Sequence, residues 1–439
     1  MGMILEQCEE IEVNGKSMPQ VSFPEGWELR LLGELATIFS GGTPNRKNPE
    51  YWDGDIPWIT TTLIDGSDIF EANEFITQNG LKGSSAKWCK AGTILMAMYG
   101  QGKTRGKVAL LGIDATINQA CAAIELSELC SKEYVLHLLD SKYEQIRELS
   151  NSGGQENLSS GIIKRLEVLL PPKKEQIIIA KVLSDTNALI TEFEQLIAKK
   201  KAIKTATVQQ LLTGRTRLPQ FAKHSDGTLK DYKSSELGLI PEDWQAVTLG
   251  YVTQKIVGGG TPSRANPNYW GNDIPWVTVK DFATFISTSA QEFITRNGLA
   301  NSSSNLIPRG TLITSTRMAL GKAVIYDVDV AINQDLKAVF TNEYTTALFL
   351  FYWFENNTRK FEELGSGSTV KGLSLNDLKG LDFLLMSIDE QIAITTILSD
   401  MDAELTVLEQ KLAKIRDIKQ GMMQQLLTGR IRLPLDRQP

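Results

Sequence analysis

The chain has 439 residues, 42% of them hydrophobic and 22% charged, with a formal net charge of −6. That is an ordinary folded composition with room for two or three domains, and no run approaches the ~20 apolar residues of a membrane span. Two histidines (His137, His224) and four cysteines without metal or redox spacing (Cys8, Cys89, Cys121, Cys130) leave little for zinc or histidine chemistry, and the cysteines read as free cytosolic thiols.

Residues 1–24 form an acidic N-terminal segment without an apolar signal core. Residues 25–172 read as a strand-rich mixed α/β unit. IPWITTTLI, GTILMAMYG, KVALLG and INQACAAIEL look like strands between glycine, asparagine and aspartate turns, followed by a helix over Lys132–Leu149. A glycine–serine loop from Ser150 and the short strand RLEVLLPP lead into a long helix at 173–214. Residues 215–240 are polar and turn-rich and read as a linker. A second unit, 241–387, carries the aromatic run FLFYWF (read as core) and a helix over Thr345–Leu364. A second long helix at 388–429 and a tail at 430–439 complete the chain.

The second half repeats the first. SGGTPNRKNPEYWDGDIPW (40–58) returns as GGGTPSRANPNYWGNDIPW (258–276), and EFITQNGL from Glu74 as EFITRNGL from Glu292, both offset by 218. From Gly106–Lys107 against Gly321–Lys322 onward the offset is 215, so the second copy lacks three residues between Thr314 and Gly321. The chain is a tandem duplication of a globular unit and its following helix.

The helices carry the clearest periodicity. In the second, Leu398, Met401, Leu405, Leu408, Leu412, Ile415, Met422 and Leu426 step by three and four, broken only by Lys419. The first keeps Leu183, Ile190, Phe193, Ile197 and Leu211 in that register, with Thr186, Lys200, Lys204 and Thr207 elsewhere on the seam. Leu189, Leu196 and Ile203 form a parallel stripe. Each helix would run roughly 60 Å. Both end in QQLLTGR, where Gly214 and Gly429 suit left-handed caps. Economy of connection predicts that the two pair as an antiparallel coiled coil with pseudo-twofold symmetry, giving an α+β fold. An overall negative charge speaks against phosphate binding, although a basic face is compatible with acidic helices elsewhere.

Several short motifs carry candidate chemistry. NPEYW (48–52) and NPNYW (266–270) superficially resemble the Asn-Pro-Pro-Tyr motif of amino-methyltransferases, but the second proline is Glu50 or Asn268. No glycine-rich S-adenosylmethionine loop follows a strand. The motif therefore reads as a rigid turn with Trp52 and Trp270 as core anchors. SGGTP and GGGTP either present bare amides to a phosphate or form plain turns, and Arg46, Lys47 and Arg264 beside them favour phosphate. The segment MAMYGQGKTRGK gathers Tyr99, Gln101, Lys103, Arg105 and Lys107, and its counterpart TSTRMALGK offers Thr316, Arg317 and Lys322. These read either as a solvated hairpin or as base-reading loops, since Gln pairs with adenine and Arg or Lys with guanine. Asn118–Gln119 and Asn333–Gln334 are expected within apolar strands, satisfying buried backbone groups. AKKKAIK (198–204) reads as a solvated face, a partner contact or a DNA contact.

The order of SGGTPNRKNPEYW, IPW, the INQ strand, the glycine–serine loop before LS, and PPKKEQ running into a helix ending in LLTGR resembles the DNA-specificity subunit of type I restriction–modification systems. The likeness covers nearly the whole chain. It implies two target recognition domains, each reading half of a bipartite duplex site, and a helical pair that docks two modification (methyltransferase) subunits. It further implies a non-catalytic cytoplasmic chain with no bound cofactor, S-adenosylmethionine and ATP/Mg being held by modification and restriction/translocation subunits. The competing reading is a duplicated coiled-coil scaffold that binds something other than DNA.

Overall fold

The computed structural model describes residues 10–13, 16–19, 23–100, 103–151, 157–366 and 372–434. It forms two compact units, residues 1–194 with 410–439 and residues 195–409.

In the first unit, two four-stranded sheets and a helical layer enclose two cores. One sheet has the order Glu74–Ile76, Trp52–Ile59, Ala115–Ile117, Lys87–Cys89, with its two central strands parallel. The other is antiparallel, ordered Ala36–Ser40, Cys121–Leu126, Ile94–Ala97, Val108–Leu110. The strand Ile94–Ala97 is apolar on both faces because both are covered. Leu95 and Ala97 join Ile59, Ala115 and Ile117 between the sheets, while Ile94 and Met96 face Tyr134, Leu138 and Leu183 of the helices. A two-strand ribbon, Glu28–Leu31 with Glu167–Leu170, leads into the first long helix, Lys173–Leu212.

The second unit repeats these layers. Its sheets are Glu292–Ile294, Trp270–Val277, Val330–Ile332, Asn305–Ile307 and Thr253–Gly258, Leu336–Thr341, Leu312–Ser315, Ala323–Ile325. The run Phe349–Phe354 belongs to its helical core. The INQ segments are not strand interiors. After Ile117 and Ile332 the chain crosses from one sheet to the other, and Asn118 and Asn333 fold the turn by accepting from Ala120 N–H (3.0 Å) and Asp335 N–H (3.1 Å). Lys132–Leu149 is also not one helix. It is two, Lys132–Ser141 and Tyr143–Asn151, where the second unit has the single helix Ala347–Ser366.

Both long helices pass through both units, and within each unit they run antiparallel. In the first, Ile179 and Leu183 near the start of one helix share a core with Met422 and Leu426 at the end of the other, Ile388–Leu426. In the second, Val208 and Leu211 share a core with Ile394 and Leu398. Of the seam positions, Leu183, Ile197, Leu398, Leu405 and Leu412 are buried and Ile190, Phe193 and Leu408 half-buried. The stripe Leu189, Leu196 and Ile203 stays exposed, at 40%, 40% and 45%. The basic AKKKAIK stretch faces the partner helix: Lys200, Lys201 and Lys204 each lie 2.7 Å from a carboxylate, of Glu404, Glu409 and Asp402 respectively.

Residues 215–240, expected as a linker, carry structure of their own. Tyr232–Ser235 and Gly238–Pro241 form a hairpin, and the Tyr232 hydroxyl donates to Gly214 O at 2.8 Å. Cys89, Cys121 and Cys130 are free and buried, with burial pushing the Cys89 and Cys121 thiols up to about 12. Cys8 lies outside the described residues.

Candidate nucleic-acid interface

The hairpin of candidate base-reading residues is built by pairing Ile94–Ala97 with Val108–Leu110, and Leu312–Ser315 with Ala323–Ile325. Each connection closes on a left-handed glycine, Gly106 (φ 88°) or Gly321 (φ 75°), a conformation that glycine adopts without steric cost. In the first unit Tyr99 and Lys103 are exposed and Arg105 is half-buried. Lys107 is tied down, its ammonium donating to Asp65 O at 3.0 Å. Gln101 lies outside the described residues. In the second unit Arg317 and Lys322 are exposed. Thr316, by contrast, is buried. It is 5% exposed, and its backbone is held between Asp335 O and Leu373 N–H.

The arginines beside the glycine turns have partners within their own unit. Arg46 lies 3.8 Å over the Trp52 ring and donates to Glu74 at 3.0 Å. Arg264 lies 3.7 Å over Trp270 and donates to Glu292 at 2.8 Å. Hydrogen bonds from these guanidiniums hold both carboxyls below the usual carboxylate range. Each guanidinium is thus already paired with a carboxylate, although the arginine side chains stay 52% and 56% exposed. Lys47 remains exposed.

In each glycine turn the amide of the second glycine is bonded within the fold. Gly42 and Gly260 N–H donate to Ile117 O and Ile332 O, and their own carbonyls accept from the buried Trp58 and Trp276 indoles. A Cβ on Gly41 or Gly259 would stand 1.8 or 1.9 Å from those same Ile carbonyls, so the glycines exist for close backbone approach. NPEYW and NPNYW form short 3-10 turns capped by Asn48 and Asn266, with Trp52 and Trp270 edge-on to the buried Trp58 and Trp276.

Sequence reasoning missed a pair of arginine–glutamate clamps. In the second unit Arg217, just past the first long helix, donates to Glu390 at the start of the second (2.9 and 2.6 Å), and Glu390 also accepts from the Trp244 indole at 3.0 Å. In the first unit Arg432 grips Glu175 at 3.0 and 2.8 Å, joined by the Trp27 indole at 3.1 Å. Each arginine beyond the end of one helix thus holds the glutamate that opens the other. The adjacent Gln176 and Gln391 accept from Ser131 N–H and Thr345 Oγ1 and donate to Pro171 O and Met386 O, satisfying buried groups at the same junctions. The signal was the recurrence of Glu-Gln and Gly-Arg-x-Arg-Leu-Pro at one offset, but nothing local links the two motifs.

Among the described residues no cluster of three or more His, Cys, Asp or Glu could hold a metal ion, and no helix is long and apolar enough to cross a membrane. The family profile described as type I restriction modification DNA specificity domain matches residues 24–205 and 241–417. A Methanocaldococcus jannaschii chain provisionally named as the MjaX type I restriction enzyme specificity subunit is 27% identical over 434 residues, covering 96% of this chain and 97% of that one. The Escherichia coli EcoR124I/EcoR124II specificity subunit is 25% identical over 240 residues, 53% of this chain and 56% of the relative. The crystal structure of an S subunit from M. genitalium has the same fold, with a TM-score of 0.58 at 14% identity over 93% of this chain and 97% of that one. With the profile spanning both units, the chain belongs to the family of type I restriction–modification DNA specificity subunits.

Proposed function

We propose that each unit reads one half of a bipartite duplex site through its hairpin connection and neighbouring loops, while the helical pair docks modification subunits. The observation that carries this is the placement of the differences. The two units share their layers and turns, yet the connection at 98–107 is three residues longer than its counterpart and differs in nearly every side chain. A divergent exposed connection on a repeated scaffold is what two reading modules of different sequence preference require. Exposed Lys47, Lys103 and Lys322 supply phosphate contacts that fix register.

Docking would use the large apolar side chains left exposed on the helices. These are Leu189 and Ile418 in the first unit and Leu196, Ile203 and Val407 in the second. In this reading the chain works in the cytoplasm and carries out no reaction itself. Two modification subunits bring S-adenosylmethionine, and restriction/translocation subunits bring ATP and magnesium. Sequencing of methylated bases in cells expressing the chain with its modification subunits tests the reading. One bipartite motif, methylated only when the chain is present, is expected. Sequence-independent methylation, or duplex binding by the complex that does not fall with salt, would return the chain to the scaffold reading. Methyl transfer by the purified chain alone would overturn its non-catalytic role.

A further inference from the structure

Two positions, one in each unit, are structurally the same residue. Met98 donates its N–H to Ala120 O at 2.8 Å and accepts from Leu158 N–H at 3.0 Å. Thr316 does the same with Asp335 O at 3.3 Å and Leu373 N–H at 2.8 Å. The residue that follows, at the mouth of the hairpin connection, is Tyr99 in one unit and Arg317 in the other. Tyr99 is 40% exposed, and the Arg317 side chain 67%.

Their surroundings differ in step with them. Where the first unit has Ala120 and Ala122, the second has Asp335 and Lys337. Arg317 Nη1 lies 3.6 Å from Asp335 Oδ1, and Asn333 Nδ2 donates to Asp335 Oδ2 at 3.3 Å, so the carboxylate is itself oriented. Lys337 turns its ammonium onto Gln334 O (2.9 Å) and Leu336 O (3.2 Å), and burial together with nearby Arg317 pulls it below the usual lysine range. A Cβ on Gly372 would come within 3.5 Å of Arg317 Cγ, so the arginine stem rests along the backbone there. The result is a guanidinium steadied on one side and open to solvent on the other.

We infer that position 99/317 determines specificity in each unit, and that in the second unit Arg317, positioned by Asp335, reads a guanine. The inference rests on the DNA-reading role proposed above. A guanidinium matches the O6 and N7 acceptors of guanine with two parallel hydrogen bonds. A carboxylate beside it repels a phosphate but tolerates the neutral edge of a base, so Asp335 biases Arg317 away from the backbone and towards the groove. Tyr99, with a single hydroxyl and a ring face, places no such demand on the other half-site.

Binding-site selection from randomised duplexes, using the full chain with its modification subunits, tests this. Arg317→Ala should lower the preference for one G·C pair in one half by roughly ten- to a hundredfold and leave the other half unchanged. Asp335→Asn, which keeps the shape, should lower preference at that same pair severalfold while binding to unrelated duplex stays level or rises. A carboxylate with only a structural role would lower the unfolding midpoint and leave base preference alone, which would overturn its positioning role. Tyr99→Arg combined with Ala120→Asp should create a guanine preference in the opposite half. If Arg317→Ala weakens all duplexes alike, Arg317 is a phosphate contact and the inference fails while DNA reading stands. If the unaltered complex shows no base preference, the proposed function fails first.

Discussion

Arg217 and Arg432 occupy equivalent positions but differ in how much water reaches them. The Arg217 side chain is 4% exposed against a Glu390 at 2%, whereas Arg432 is 41% exposed against a Glu175 at 1%. Removing one partner of a fully buried pair leaves the other charged and unpaired, so Arg217→Ala should cost about 3–5 kcal/mol. Water can enter behind Arg432→Ala, so that change should cost clearly less; the indole bonds from Trp27 and Trp244 remain in either variant. Urea midpoints of the two full-length variants decide the order; equal losses would refute it. These pairs were illegible in the sequence because they join residues 173 and 257 apart, and spacing carries information only along one element. The same applies to Arg46. Its neighbours in sequence are basic and polar, but its partner Glu74 lies 28 residues on, across a sheet.

His137 sets a pH limit on the first unit. It is buried, its Nε2 lies 2.9 Å from Ser184 Oγ, and burial, reinforced by Lys419 and opposed by Glu133, lowers its pKa from 6.5 to about 4. The unfolded chain therefore takes up this proton before the folded one does. The stability involved is fully present above pH 6.5, is lost as pH falls towards about 4, and amounts to ~3 kcal/mol. The second unit has Tyr352 at this position, its hydroxyl donating to Asp402 at 2.8 Å. His137→Tyr should accordingly flatten the fall in melting temperature between pH 6.5 and 4. Parallel curves for the two proteins would show that His137 is not the group responsible.

At the scale of elements, the glycine turns are tolerance limits. Gly259→Ala would drive a methyl to 1.9 Å from Ile332 O, in the turn beside the parallel strand pair, and should abolish soluble protein. Gly227→Ala meets nothing within 4 Å and pays only for its left-handed backbone, about 1–2 kcal/mol, readable as a small drop in melting temperature. The duplication and the helical seam were legible because each is periodic. The sheet crossings at Asn118 and Asn333 were not, because an apolar run followed by a polar pair looks the same whether the strand continues or changes sheets. The basic AKKKAIK face was ambiguous for a similar reason: its counter-charges lie on the other helix.

For the molecule as a whole, modular reading makes an exchange experiment decisive. Replacing residues 96–107 by 314–322 should change only the half-site read by the first unit, scored as the methylated motif. A change in both halves, or in neither while binding persists, would contradict independent units.

The two compact units part at Glu194/Gln195 and at Glu409/Gln410, both in mid-helix and 215 residues apart, which is the period of the repeat over the helices. This has a consequence for inheritance. A gene exchange with both crossovers at those points would carry over a complete helical core, with its hairpins, its clamp between Arg217 and Glu390 and its helix-pairing lysines. Crossovers at the helix ends, where the sequence repeat starts afresh, would instead pair helix halves from different parents. New specificities should thus arise most readily by recombination within the stretches of helix where the two copies can be matched residue for residue.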